Sequence, residues 1–246
     1  MQDWNQLRHY IDAIQRLPAD KPLTKQDLLI PDFLLHREGG LEMYYAPHNE
    51  YINQAAKLVI LGITPGWTQM ELAFRQAKQD VDAGLSLEQI AYRSKQAARF
   101  AGTMRKNLCS MLDQIELDTA LGLSSCSRLF EDQDEWLHTS SVIKYPVFSH
   151  GLNYTGHNPQ LVKSQFLSAY MCSTLNNELK QLANPLIIPL GKMVEDALNL
   201  LVSQGVIKRQ SCLSGFPHPS GANGHRLQQL KTNLPLLKKR VIQFFS

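Results

Sequence analysis

Between Gly215 and Arg226 the chain reads GFPHPSGANGHR. An imidazole between two prolines, His218, sits on a stiff backbone, and the glycines around it let that backbone approach a ligand closely. Such a loop can bring the imidazole of His218 against a bound ligand. It also suits capture of phosphates by Ser220, Gly221, Asn223 and Arg226 at the head of a helix, where N–H groups and the dipole favour anions. A second stretch, GITPG from Gly62 to Gly66, follows an apolar run and ends it abruptly. The Thr64 hydroxyl can orient a water but cannot serve as a carboxylate base near neutral pH. No Asp or Glu lies between Glu50 and Glu71 to supply one.

The elements that must position these residues follow from periodicity. KLVILGI, residues 57–63, reads as a strand buried on both faces, typical of a parallel sheet under helices. Helical patterns cover 67–83, 86–100 (capped by Ser86) and 102–116. SVIKYPVF, residues 141–148, is the next strand-like run, followed by a loop at 149–158 and a long helix over 159–182 that begins with proline. A strand at 185–191, a helix at 192–204, a short strand at 211–215 and a closing helix over 227–245 complete the pattern. Upstream, 3–17 is an amphipathic helix closed by Pro18, Thr24 caps a short helix that Pro31 interrupts, and 41–46 suits a strand after the Gly39–Gly40 turn. Strands alternating with helices predict a three-layer α/β/α sandwich around a central, mostly parallel four-stranded sheet. The reading is of a single domain, 1–246, with residues 1–50 as an N-terminal helical extension. Ligands in such folds sit at the carboxyl ends of the strands, which would set Thr64, His150, His157 and His218 on one rim.

Composition narrows the classes. With 246 residues and 43% hydrophobic content the chain can bury a large core. It has no apolar run of membrane-span length and no basic, apolar leader at Met1. Cys109, Cys126, Cys172 and Cys212 are far apart without a CxxC pair, so reduced thiols are expected and a zinc or iron–sulfur site is not. The expectation is a cytoplasmic monomer that needs no metal or cofactor. The net charge of +3 is unevenly placed: no acid follows Asp196, so the last fifty residues carry +7 and the rest −4. Acid-free windows also run from Gln89 to Leu112 and from Trp136 to Asn177. A face attracted to phosphates is one consequence, a solvated basic surface the other.

In its motifs the chain resembles the uracil-DNA glycosylase superfamily. Gly62-Ile63-Thr64-Pro65-Gly66 is similar to the first motif, nearest the Gly-Ile-Asn-Pro-Gly form of the mismatch-specific branch, and His218-Pro219-Ser220-Gly221-Ala222-Asn223 is similar to the second. Between them, Phe100 to Leu108 resembles the Phe-x-Gly-x-x-Gly-x-x-Leu segment of the thermophilic branch with Lys106 at its second glycine. Ile188 to Lys192 resembles the strand–turn–helix ahead of the second motif. The resemblance spans Leu58 to Arg226. It implies hydrolysis of the N-glycosidic bond of a flipped-out damaged or deaminated base in DNA, single-stranded or lesion-containing duplex, during base-excision repair. It implies His218 as donor to the base oxygen, Phe100 as stacking face, Gly62, Ile63, Pro65 and Gly66 as pocket wall, and Ala222 and Asn223 as the wedge. Two departures stand out. Thr64 replaces the Asp or Asn that positions water, and Ser141 stands where relatives carry a base-reading Asn, with Asn153, His157 or Asn158 as substitutes. A nucleic-acid-binding module without catalysis and a nucleoside or small-ligand hydrolase are the alternatives.

Overall fold

The computed structural model describes residues 4–100 and 102–246. Met1 and Gln2, Asp3 at the start of the helix expected over 3–17, and Ala101, inside the Phe100–Leu108 segment, lie outside the described residues. Along the chain the elements are α1 (Asn5–Gln15), α2 (Lys25–Leu28), β1 (Leu34–Glu38), β2 (Leu41–Tyr44), β3 (Leu58–Gly62), α3 (Trp67–Asp82), α4 (Leu87–Ala98) and α5 (Thr103–Gln114). There follow α6 (Leu117–Leu121), β4 (Leu137–Ser141), β5 (Val147–Ser149), β6 (Leu152–Asn153), α7 (Gln165–Leu179), β7 (Leu186–Pro189), α8 (Lys192–Ser203) and α9 (Arg226–Phe245). The architecture is mixed α/β, with two β-sheets and helices around them. Among the described residues no helix is long and apolar enough to cross a membrane. The chain divides into two compact units and enters each more than once. Unit 1 takes the residues up to Ile52, Thr64–Arg99 and Ile143–Asn158; unit 2 takes Asn53–Ile63, Phe100–Val142 and Pro159–Ser246.

Unit 2 contains a three-stranded parallel sheet in the order β4-β3-β7. Every residue of β3 is buried, as a strand covered on both faces requires. Beyond β7 one isolated parallel bridge joins Ile187 to Cys212, and the Leu213 N–H donates to the Ile187 carbonyl at 2.8 Å. Leu58, Ile60, Leu108, Leu112, Ile188 and Leu213 are among the side chains of its core. Each such side chain contributes about 1.5–3 kcal/mol by leaving water. The second strand of this sheet is polar yet buried throughout: β4 reads LHTSS. His138 is tolerated there because its Nε2 lies 2.8 Å from Glu178 Oε1 on α7, while its Nδ1 lies 3.4 Å from the Asn53 N–H. A buried polar strand needs such partners.

Unit 1 is built on an antiparallel sheet in the order β1-β2-β5-β6. Tyr10 of α1 stacks on Tyr45 at 3.8 Å between ring centroids, and Phe33 meets Phe74 of α3 at 4.6 Å. Thr24 and Asp27 form the capping box of α2, and the Ser86 hydroxyl accepts from the Gln89 N–H at the start of α4.

Three expectations are corrected here. The four-stranded sheet is antiparallel, and the parallel sheet has three strands with a fourth position reduced to the bridge at Cys212. The apolar run 141–148 is divided between the sheets: Ser141 closes β4, and Val147–Ser149 pairs antiparallel with β2. Pro146 lies between, and having no N–H it cannot continue a central strand. The helix expected over 159–182 begins at Gln165, where the Ser164 hydroxyl accepts the Leu167 N–H at 3.3 Å and supplies the cap.

Candidate functional site

At the carboxyl end of the parallel sheet of unit 2, Gly62 on β3 pairs with Ser141 on β4, and Leu61 pairs with Pro189 on β7. A Cβ on Gly62 would stand 3.6 Å from Ser141 Oγ. After β7, Gly191 adopts φ 87°, a conformation open to glycine, and a Cβ there would come within 3.0 Å of His218 Cβ. The chain at 215–226 is therefore laid directly against the turn that follows the strand.

That loop is pinned from several elements. The Gly215 N–H donates to Glu195 Oε2 on α8 at 2.9 Å, and Asn233 Nδ2 on α9 donates to the Gly215 carbonyl at 2.7 Å. The Gly191 N–H donates to the Phe216 carbonyl at 3.0 Å. Asn107 Nδ2, from the segment resembling the thermophilic branch, donates to the Pro219 carbonyl at 2.9 Å. Asn223 Nδ2 donates to the His218 carbonyl at 3.1 Å. Preorganisation of this kind is what a donor aimed at developing charge requires.

Within the loop, the Ser220 N–H donates to His218 Nδ1 at 3.2 Å. Nδ1 is thus the acceptor, and the neutral ring carries its proton on Nε2. Nε2 makes no hydrogen bond with any other described residue. His218 is half-buried, and burial lowers its pKa, so the imidazole is neutral around pH 7 and presents Nε2–H as a donor.

The anion-holding expectation for 220–226 meets a loop that uses many of its own donors. The Ala222 N–H donates to Ser220 Oγ (3.2 Å), that of Asn223 to the Ser220 carbonyl (3.0 Å), that of His225 to Asn223 Oδ1 (3.3 Å) and that of Arg226 to the Asn223 carbonyl (3.2 Å). Gly221 and Ala222 are exposed, and Arg226, the first residue of α9, has one guanidinium nitrogen 3.3 Å from the Asn223 carbonyl. Phe100 has φ 41° and is 5% exposed within the core of unit 2. Its ring is core packing in this structure.

Thr64, Pro65 and Gly66 belong to unit 1. The Thr64 hydroxyl donates to the Tyr145 carbonyl at 2.8 Å and accepts the Val147 N–H at 3.0 Å. Its donor is committed, which leaves one lone pair for a water. Pro65 is buried. At Gly66 the chain turns into α3, where the Gly66 N–H donates to Gln69 Oε1 (3.2 Å) and the Trp67 N–H to Asn153 Oδ1 (2.9 Å). Asn153 is therefore a helix cap. His150 occupies the turn of the β5–β6 hairpin with φ 50°, its ring so close over Gly40 that a Cβ there would lie 2.4 Å away. The expectation that 149–158 follows a parallel strand is corrected, because β5 belongs to the antiparallel sheet. His150 and His157 accordingly do not mark the carboxyl end of a parallel strand.

A second set of polar groups, unforeseen in the sequence, is buried in unit 1. Glu50, 6% exposed, accepts from the Tyr145 hydroxyl and, at 3.1 Å, from Lys144 Nζ. Lys95 Nζ donates to the Tyr51 carbonyl at 2.8 Å. His48 is 3% exposed and neither ring nitrogen has a partner among the described residues; burial, then Lys95 and Lys144, pull its pKa down to about 3. No local pattern announces this cluster, since Glu50 and Tyr145 are 95 positions apart. Among the described residues no group of three or more His, Cys, Asp or Glu side chains is arranged to hold a metal ion.

Compared with known proteins, the chain is 46% identical over 239 residues to the uncharacterized protein YoxB of Bacillus subtilis (strain 168), covering 97% of this chain and 93% of that one. No family profile and no solved structure matches it.

Proposed function

The chain belongs to the family of the Bacillus subtilis protein YoxB, and for it we propose a DNA glycosylase-like function: hydrolysis of the N-glycosidic bond of a flipped-out, uracil-type base. The observation that carries this reading is His218, a neutral imidazole whose tautomer is set by the Ser220 N–H and whose Nε2–H is unclaimed. It stands on a loop pinned by α5, α8 and α9. As the C–N bond breaks, its electron pair passes to the base and negative charge gathers on a carbonyl oxygen of the base. A fixed N–H donor stabilises that charge more than it stabilises the ground state. The sugar is left cationic and takes up water, which loses a proton to solvent. The Thr64 donor is engaged inside unit 1, so this proposal assigns Thr64 no step and requires no side-chain base. Ser220, Gly221, Asn223 and Arg226 face phosphates, and the partner is DNA engaged by a single chain without metal or cofactor.

One observation favours a second reading, a nucleic-acid-binding module without turnover: both hydrogen bonds of Thr64 serve the fold. Base release from uracil- and hypoxanthine-containing oligonucleotides, single- and double-stranded, separates the two. Release that falls about a hundredfold in His218→Ala supports the first. Salt-dependent binding with no release from any lesion supports the second. Absence of both binding and release overturns the pair.

A further inference from the structure

The parallel sheet of unit 2 has an opposite end, and a cavity of about 290 Å3 opens there. It lies at the start of β7, roughly 15 Å along the strand direction from Gly191. Its floor is apolar: Leu182, Pro185 and Ile187 are buried, and Val206 and Ile207 close it from the segment after α8. Around this floor stand four polar side chains, Lys180, Asn184, Lys208 and Ser211. None of the four makes a side-chain hydrogen bond or ion pair with another described residue. An apolar floor with a few convergent polar groups is the make-up of a small-molecule site, and this volume lies at the small end of such sites.

Charge selects the ligand. Among the described residues no carboxylate lines the cavity, the chain has no acid after Asp196, and Glu178, two positions before Lys180, is engaged with His138. The competing influence is that α7 and α8 both end here, and helix carboxyl ends favour cations. Local backbone donors already answer those carbonyls. The Lys180 N–H bonds to Asn176, Gln181 to Glu178, Gln204 to Leu200, Gly205 to Val202 and Val206 to Leu201. The two ammonium groups therefore dominate the field at the mouth.

We propose that this cavity binds a small organic anion, with one ring or a short alkyl chain on the apolar floor and a carboxylate head between Lys180 and Lys208. Asn184 and Ser211 supply further donors to that head.

Octanoate and 4-phenylbutyrate are suitable probes, with 1-octanol and 4-phenylbutan-1-ol as uncharged counterparts, titrated calorimetrically into the full chain. Both anions bind one per chain, and the alcohols bind about tenfold more weakly or less. The paired exchange Lys180→Glu with Lys208→Glu abolishes anion binding. It leaves the urea midpoint in place, because both side chains are exposed and unpaired. Ile207→Trp, which fills the floor, excludes anions and alcohols alike. Equal affinity for anion and alcohol, undiminished binding by the doubly reversed variant, or no binding of either anion overturns the proposal.

Discussion

His48 is a group whose protonation the fold opposes, and the size of that opposition can be worked out. Its ordinary pKa of 6.5 falls to about 3 in the folded chain, through burial first and then through Lys95 and Lys144. As pH falls below about 6.5, the unfolded chain takes up a proton that the folded chain refuses, so stability is lost on acidification. It is fully present above that pH, declines down to about pH 3, and changes no further once both states bind the proton. At about 1.36 kcal/mol per pH unit, the loss is about 2 kcal/mol by pH 5 and approaches about 5 kcal/mol at the lower limit. His48→Leu removes the titration together with two unpartnered ring nitrogens. At neutral pH the variant is within about 1 kcal/mol of the parent or more stable, because deleting an unsatisfied buried polar group is close to neutral. By pH 5 the difference has moved about 2 kcal/mol in its favour. Urea unfolding followed by tryptophan fluorescence measures this in a Trp136→Phe background, where Trp4 and Trp67 both report on unit 1. Parent and variant curves that run parallel from neutral pH to pH 5 would refute the reasoning.

Three further outcomes follow from single contacts. Gly191→Ala forces a Cβ into φ 87° and to within 3.0 Å of His218 Cβ. It destabilises unit 2 by about 1–3 kcal/mol and moves the His218 ring resonances, and an unchanged urea midpoint with unmoved resonances would contradict it. Thr64→Val removes bonds of 2.8 and 3.0 Å to the Tyr145 carbonyl and from the Val147 N–H. Unit 1 loses about 1–3 kcal/mol, Thr64→Ser restores most of it, and an unchanged urea midpoint in Thr64→Val would show the clamp to be idle. If DNA is the partner, Arg226→Ala lowers the slope of log affinity against log salt by about 1, and filter binding over a salt series that returns the parental slope would remove Arg226 from the phosphate contacts.

The sequence shows its helices more clearly than its sheets, and the reason is physical. A helix such as α3, α4 or α8 declares itself through apolar residues three and four apart and through local caps, all within one stretch. The strand β4 carries no such signal. Its HTSS is polar, and it is buried because His138 finds Glu178 on α7, 40 positions away. The apolar run beside it, 141–148, carries a strong strand signal but is shared between two sheets, and the lack of an N–H at Pro146 is the only local sign of the break.

The same division separates the two polar sites. The loop at 215–226 holds much of its own geometry: the Ser220 N–H on His218 Nδ1 and Asn223 Nδ2 on the His218 carbonyl span two and five positions. Contacts of that span can be sought in a motif. The cluster of His48, Glu50, Lys95, Lys144 and Tyr145 is assembled from three separate passages of the chain through unit 1. Nothing within ten residues of Glu50 foretells a tyrosine hydroxyl and a lysine on its carboxylate. The acid missing between Glu50 and Glu71 in sequence is thus a matter of placement as well as count. The nearest upstream carboxylate is already bound to Tyr145 and Lys144, and Thr64 is bound to the backbone of that same tyrosine. Releasing that carboxylate as a base would break contacts that hold unit 1 together, and the chemistry proposed for His218 assigns it no such part.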